Sequence, residues 1–165
     1  DGSSPHILKR SFRLCGLPGD PHLIMKTIVL IGRTGCGKTT LASLLTGKEI
    51  KNKKSTGVVR EGFVIDTPGG FAENRWMAGA LSIFAYEARV VGLVIYAGEP
   101  YSLFPPNING MVNRDMVGIV TKKGAKAEKP ELAEKWLNNA GCKRVFHVNL
   151  LSGEGVQDIL DYLTE

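Results

Sequence analysis

Long apolar runs are missing from this sequence, and so are the cysteine and histidine patterns that build metal centres. No stretch approaches the ~18 consecutive apolar residues of a membrane span, so no transmembrane helix is expected. Cys15, Cys36 and Cys142 stand far apart with no C-x-x-C pair. That argues against a zinc site or a disulfide framework and fits a reducing, cytoplasmic setting. His6, His22 and His147 belong to no spaced cluster of ligand residues, so neither a metal nor a catalytic triad is expected of them. Runs of Arg and Lys interleaved with aromatics are absent too. The net charge of +5 therefore reads as scattered solvated lysines plus the cations a phosphate ligand requires, with no nucleic-acid partner. There is no internal repeat and no low-complexity tract, and 165 residues suit one domain with one sizeable core.

What is present is a complete G-x-x-x-x-G-K-[ST] motif, Gly32-Arg33-Thr34-Gly35-Cys36-Gly37-Lys38-Thr39. The β-branched run Lys26 to Ile31 before it predicts a buried strand, and Thr40 to Leu45 after it has helical spacing. Strand, Gly-rich loop and helix are the setting in which this motif cradles a polyphosphate. Gly35 and Gly37 let backbone N–H groups turn inward, and the helix N-terminus adds partial positive charge. The loop from Gly32 through Thr40 is thus the expected nucleotide site. Lys38 and Thr39 are the expected catalytic residues, the lysine at the outer phosphates and the hydroxyl on Mg²⁺. Lys38 is expected to have no structural duty.

Asp66-Thr67-Pro68-Gly69 closes a second strand after a hairpin in which Val58-Val59-Arg60 and Phe63-Val64-Ile65 flank Glu61-Gly62. Asp66 would hold Mg²⁺, and the Gly69 N–H would meet a terminal phosphate. Thr56, in the Lys-rich loop from Lys48, is the candidate third magnesium residue, with a plain Ser-Thr-Gly loop as the alternative. Further on, the sequence predicts helices over Arg75–Ala88, Glu128–Asn139 and Gly155–Thr164, the second with an apolar stripe of Leu132, Trp136 and Leu137. Strands are expected over Val90–Tyr96, Met116–Val120 and Arg144–Val148, with an irregular Gly98–Gly110 broken by Pro100, Pro105 and Pro106. The alternation predicts an α/β fold, a mostly parallel central sheet with helices on both faces. This domain covers residues 25–165. Residues 1–24 read as an extension, either a cloning remnant ahead of Met25 or a short basic docking peptide, Ile7 to Leu14.

One family shares more than the P-loop. Asp66-Thr67-Pro68-Gly69, Glu73-Asn74-Arg75, Ser102-Leu103-Phe104-Pro105-Pro106, Gly118 to Lys122 and Gly153-Glu154-Gly155 make the chain from Lys26 onward resemble the EutP/PduV family. These are small P-loop proteins encoded with ethanolamine and propanediol utilisation systems and associated with bacterial microcompartments. The resemblance implies a Ras-like P-loop NTPase domain, GTP or ATP bound with Mg²⁺, and a bacterial protein whose partner is a microcompartment shell or cargo protein. Two departures bear on the base. Where N/T-K-x-D reads guanine, this chain has Thr121-Lys122-Lys123-Gly124, and where Ser-Ala backs the base it has Asn149-Leu150. Thr121 and Lys122 stay as base-contact candidates, with a strand end running into a charged loop as the alternative. Gly70-Phe71 stands where many GTPases carry a water-orienting Gln, and Glu73 and Arg75 are read as solvating a helix start. Three functions follow: a slow GTPase-like NTPase or switch, an ATP-dependent phosphotransferase acting on a small carboxylate in the manner of an acetate kinase, or a pseudo-GTPase interaction module.

Overall fold

The computed structural model describes residues 25–49, 57–73 and 77–164. The candidate extension 1–24, Thr56 and Arg75 lie outside them. In chain order the elements are β1 (Ile28–Gly32), α1 (Lys38–Thr46), β2 (Val59–Glu61), β3 (Val64–Asp66), α2 (Gly70–Glu73), α3 (Met77–Glu87), β4 (Val90–Tyr96), a 3₁₀ turn (Ile108–Met111), β5 (Asp115–Lys122), α4 (Pro130–Ala140), β6 (Arg144–Asn149) and α5 (Val156–Thr164). The sheet order is β2-β3-β1-β4-β5-β6. All pairings are parallel except the β2–β3 hairpin at the edge.

The unbroken apolar run of β1 has a direct cause. Successive side chains of a strand point to opposite faces, and both faces here are covered. Ile28 and Leu30 pack with Leu41 and Leu45 of α1 and Ile159 and Leu163 of α5. Val29 and Ile31 pack with Leu81 of α3 and Leu137 of α4. The expected α/β P-loop architecture, with helices on both faces, is the one found. The strand order reverses around β1, which lies between β3 and β4. The crevice beyond the carboxyl ends of these strands is the topological switch point of an open α/β sheet, and the P-loop emerges there.

Several details differ from the sequence reading. The hairpin turn is Gly62-Phe63, since Glu61 already pairs with Val64. Helix α4 begins at Pro130, which suits a first turn because proline has no N–H to leave unpaired. Its buried stripe is Ala133, Leu137 and Ala140, while Leu132 is 39 % exposed. Leu137 sits directly over Gly118 of β5, where an added Cβ would lie 2.9 Å from the Leu137 Cβ. Among the described residues, no helix is long and apolar enough to cross a membrane.

Candidate functional site

The P-loop runs from the end of β1 into the first turn of α1, and its own groups hold it in shape. Gly37 closes it with φ +92°, and Leu150 packs so tightly over this glycine that any Cβ would collide with the leucine side chain. From inside the loop, the Lys38 Nζ donates to the carbonyls of Gly32 at 2.8 Å and Arg33 at 3.1 Å. Lys38 is a buried cation. The expectation that it lacks a structural duty is therefore corrected: it ties down the Gly32 carbonyl and shares the Arg33 carbonyl with the Cys36 backbone N–H, which donates to it at 3.1 Å. Beneath the loop, the fully buried Thr121 hydroxyl donates to the Cys36 carbonyl at 2.7 Å. The Cys36 thiol is buried as well, and burial pushes it up to about 11, so it is not a reactive thiolate at neutral pH.

Asp66, at the carboxyl end of β3, faces α1. The Thr39 hydroxyl donates to its Oδ2 at 2.9 Å. Its Oδ1 is buried and has no hydrogen-bond partner among the described residues. Burial raises the Asp66 carboxyl above its ordinary value, while Thr39 and the Lys38 charge pull the other way. A buried carboxylate oxygen with no donor is costly unless something positive meets it. Two hard oxygens side by side, at the mouth of a phosphate loop, fit Mg²⁺, which takes few protein ligands and completes its shell with water and phosphate. No group of three or more His, Cys, Asp or Glu among the described residues forms a self-sufficient metal centre.

Two further carboxylates flank the loop, and sequence reasoning missed what both do. Glu73, read as solvating a helix start, accepts the Thr34 backbone N–H at 2.8 Å. That bond and the Thr34 hydroxyl, with help from Arg33 and Lys38, hold its carboxyl below the usual range. Glu99 follows β4 and accepts the Tyr96 N–H at 3.1 Å. Its other oxygen lies 3.5 Å from the Arg33 Nε. Arg33 in turn donates to the Tyr101 carbonyl at 3.0 Å and stacks on the Tyr101 ring. This P-loop side chain is thus tied to the β4 side of the loop, leaving only its backbone to face a phosphate. Gly69 presses on Thr34, and a Cβ there would strike the Thr34 backbone. Thr34, Gly35 and Thr40 are exposed along the mouth of the loop.

The opposite end of the crevice, at the carboxyl ends of β5 and β6, is tied up in its own loops. The Leu150 N–H donates to the Lys122 carbonyl at 2.9 Å. The Asn149 Oδ1 accepts the N–H groups of Leu151 and Ser152. The Glu128 carboxylate accepts the Lys123 N–H at 2.8 Å and the Ala125 N–H at 2.7 Å. Gly124 has φ +83° and open space where a side chain would stand. Thr121, offered as a base contact, instead spends its hydroxyl on the P-loop, and Lys122 is half-buried. A single local cue, Glu three to five residues after the N–H groups it caps, pointed toward the Glu128 staple. None pointed toward Thr121 and Cys36, which are 85 residues apart.

Fold and loop together define a P-loop NTPase domain of the small GTPase-like kind. A crystal structure of the bacterial selenocysteine-specific elongation factor EF-Sec superposes with a TM-score of 0.53 at 17 % identity, over 84 % of this chain and 28 % of that one. That likeness is one of fold. The family model for ethanolamine utilisation - propanediol utilisation, PduV-EutP, matches residues 25–165, and the chain belongs to this family. The propanediol utilization protein PduV of Citrobacter freundii is 39 % identical over 140 residues, covering 84 % of this chain and 93 % of its own. A probable acetate kinase, EutP of Escherichia coli K12, is 27 % identical over 146 residues, covering 84 % of this chain and 89 % of its own.

Proposed function

We propose that this protein binds a purine nucleoside triphosphate with Mg²⁺ in the P-loop and hydrolyses it slowly, as a nucleotide-dependent switch serving propanediol or ethanolamine utilisation at a bacterial microcompartment. The observation that carries the reading is the unpartnered Asp66 Oδ1 beside Thr39 at the mouth of an intact loop. In this reading Thr39 and Asp66 hold the ion, which supplies charge neutralisation on the outer phosphates. The backbone from Arg33 to Thr40 cups the polyphosphate. Lys38 keeps its grip on the Gly32 and Arg33 carbonyls and exchanges its weak 3.7 Å contact with the Cys36 Sγ for the phosphates. The Gly69 N–H meets the terminal phosphate. Gly70 has no side chain to orient a water molecule, so intrinsic turnover is expected to be slow, ~10⁻⁴ s⁻¹.

A second reading has its own support, the probable acetate kinase among the relatives. There an acceptor carboxylate oxygen attacks the γ-phosphorus, the bond to the β-phosphate oxygen breaks, and the products are an acyl phosphate and the nucleoside diphosphate. Product analysis separates the two. The purified chain with Mg²⁺, radiolabelled triphosphate and acetate or propionate should release inorganic phosphate slowly and trap no hydroxamate with hydroxylamine. Hydroxamate accumulating faster than free phosphate would replace the switch with the phosphotransferase.

A further inference from the structure

Glu73 ends a four-residue helix and is exposed, so neither packing nor helix propensity explains where its carboxylate goes. It reaches across to the P-loop and accepts the Thr34 N–H at 2.8 Å, 39 residues away in sequence. Thr34 is also the residue against which Gly69 is pressed. Gly69 lies three residues beyond Asp66, on the segment whose N–H meets the terminal phosphate in the proposed nucleotide complex. The Thr34 N–H therefore opens on the γ-phosphate end of the loop. In the same complex the backbone N–H groups at the α1 end, from Gly37 to Thr40, would cup the inner phosphates, with the Lys38 side chain reaching back to the outer ones. Around Thr34 the Glu73 carboxylate finds a backbone donor and the fields of Arg33 and Lys38, both of which favour its ionised form. These are the surroundings a terminal phosphate oxygen would find.

We propose that Glu73 is a specificity residue for the terminal phosphate: its carboxylate caps Thr34 as a built-in anion that the γ-phosphate must displace, whereas a diphosphate leaves it in place. The proposal rests on the nucleotide reading above and deepens it. Its physical content is competition for the Thr34 donors, the N–H above all, and for one local positive field. A triphosphate has to break the Glu73–Thr34 bond or bring two anions together, and either costs affinity. A diphosphate does neither. Glu73 thereby narrows the gap between triphosphate and diphosphate affinity that the loop alone would give.

The test is a titration of the full chain and its Glu73→Ala and Glu73→Gln variants with GTP, GDP, ATP and ADP in the presence of Mg²⁺, alongside the ¹⁵N–¹H signal of Thr34 without nucleotide. Both variants should bind the triphosphates about fivefold more tightly and the diphosphates within about twofold of the parent, the scale of one exposed charged contact. Loss of the acceptor in Glu73→Ala should move the Thr34 amide proton upfield. Nucleotides that bind with an unchanged triphosphate-to-diphosphate ratio would overturn the role of Glu73 and leave the nucleotide reading standing. A triphosphate affinity that falls in the variants would overturn it too, since Glu73 would then be helping to hold the ligand. If neither parent nor variants bind any nucleotide, the reading beneath the proposal fails and the proposal falls with it.

Discussion

The two ends of the crevice above the sheet are built on opposite plans. At the P-loop end, polar groups are gathered and left partly unspent: Asp66 keeps a bare oxygen, Lys38 spends its third proton only on a long 3.7 Å contact with the Cys36 Sγ, and Thr34, Gly35 and Thr40 lie along an open rim. At the other end the donors and acceptors are consumed by the backbone beside them. Asn149 caps its own turn, Glu128 staples residues 123–125, and the Leu150 N–H goes to Lys122. A site that leaves polar groups unpaired is prepared for a ligand, because those groups cost free energy until one arrives. A site that spends them locally gains stiffness and gives up recognition. In the proposed reading, the contrast puts affinity on phosphate and cation and leaves little for a base edge.

Removing the lysine should have the largest effect on that contrast. Lys38→Ala should weaken triphosphate binding about 100-fold, the scale of lost charge-assisted hydrogen bonds. It should also lower the melting temperature, because the Gly32 carbonyl loses its lysine donor and the Arg33 carbonyl is left with the Cys36 N–H alone. Calorimetry for binding and a thermal scan for stability check the two halves separately. Triphosphate affinity unchanged in a folded variant would remove the phosphate end from the account.

Asp66→Asn acts on the cation alone. The Oδ1 in the amide can still accept the Thr39 hydroxyl, so the fold should be kept. The Mg²⁺-dependent part of triphosphate affinity should fall about tenfold, and binding in chelator should stay as it was. Equal losses with and without Mg²⁺ would mean that Asp66 serves the loop and not the ion.

At the quiet end the expected effects are smaller. Gly124→Asp restores a carboxylate where a guanine reader carries one. It should raise GTP affinity by up to about tenfold and leave ATP nearly unchanged. The φ of +83° at Gly124 works against the substitution, although Asp tolerates this region better than most residues. Parallel titrations with GTP and ATP read the difference. A gain for both nucleotides would point to a change in loop packing, and not to base recognition.

How much of this was legible beforehand follows the same division. The P-loop, Asp66 at a strand end and the six strands could be read because each is a local pattern: a motif of fixed spacing, or an apolar run between breakers. The pattern fails where a contact joins distant segments. Nothing near Thr121 in sequence marks it as a support for Cys36, and nothing near Leu150 marks it as the lid over Gly37. Glu73 looked like a helix-start acid because its neighbours fit that role, and only the fold brings Thr34 to it. In α4 the larger Leu132 was chosen for the core over Ala133, since apolar size is visible in a sequence while the helix face that Leu137 turns onto Gly118 is not.

The division between the two ends is tested most directly by the ratio of GTP to ATP affinity for the unmodified chain, measured by calorimetry with Mg²⁺ and repeated in chelator. The phosphate and cation contacts are the same for both nucleotides, so the account predicts that both bind, that both weaken without Mg²⁺, and that GTP leads by no more than about tenfold. A preference for GTP of several hundredfold would contradict it, because a base reader would then be at work in loops where Asn149, Leu150 and Glu128 are already committed to their own backbone.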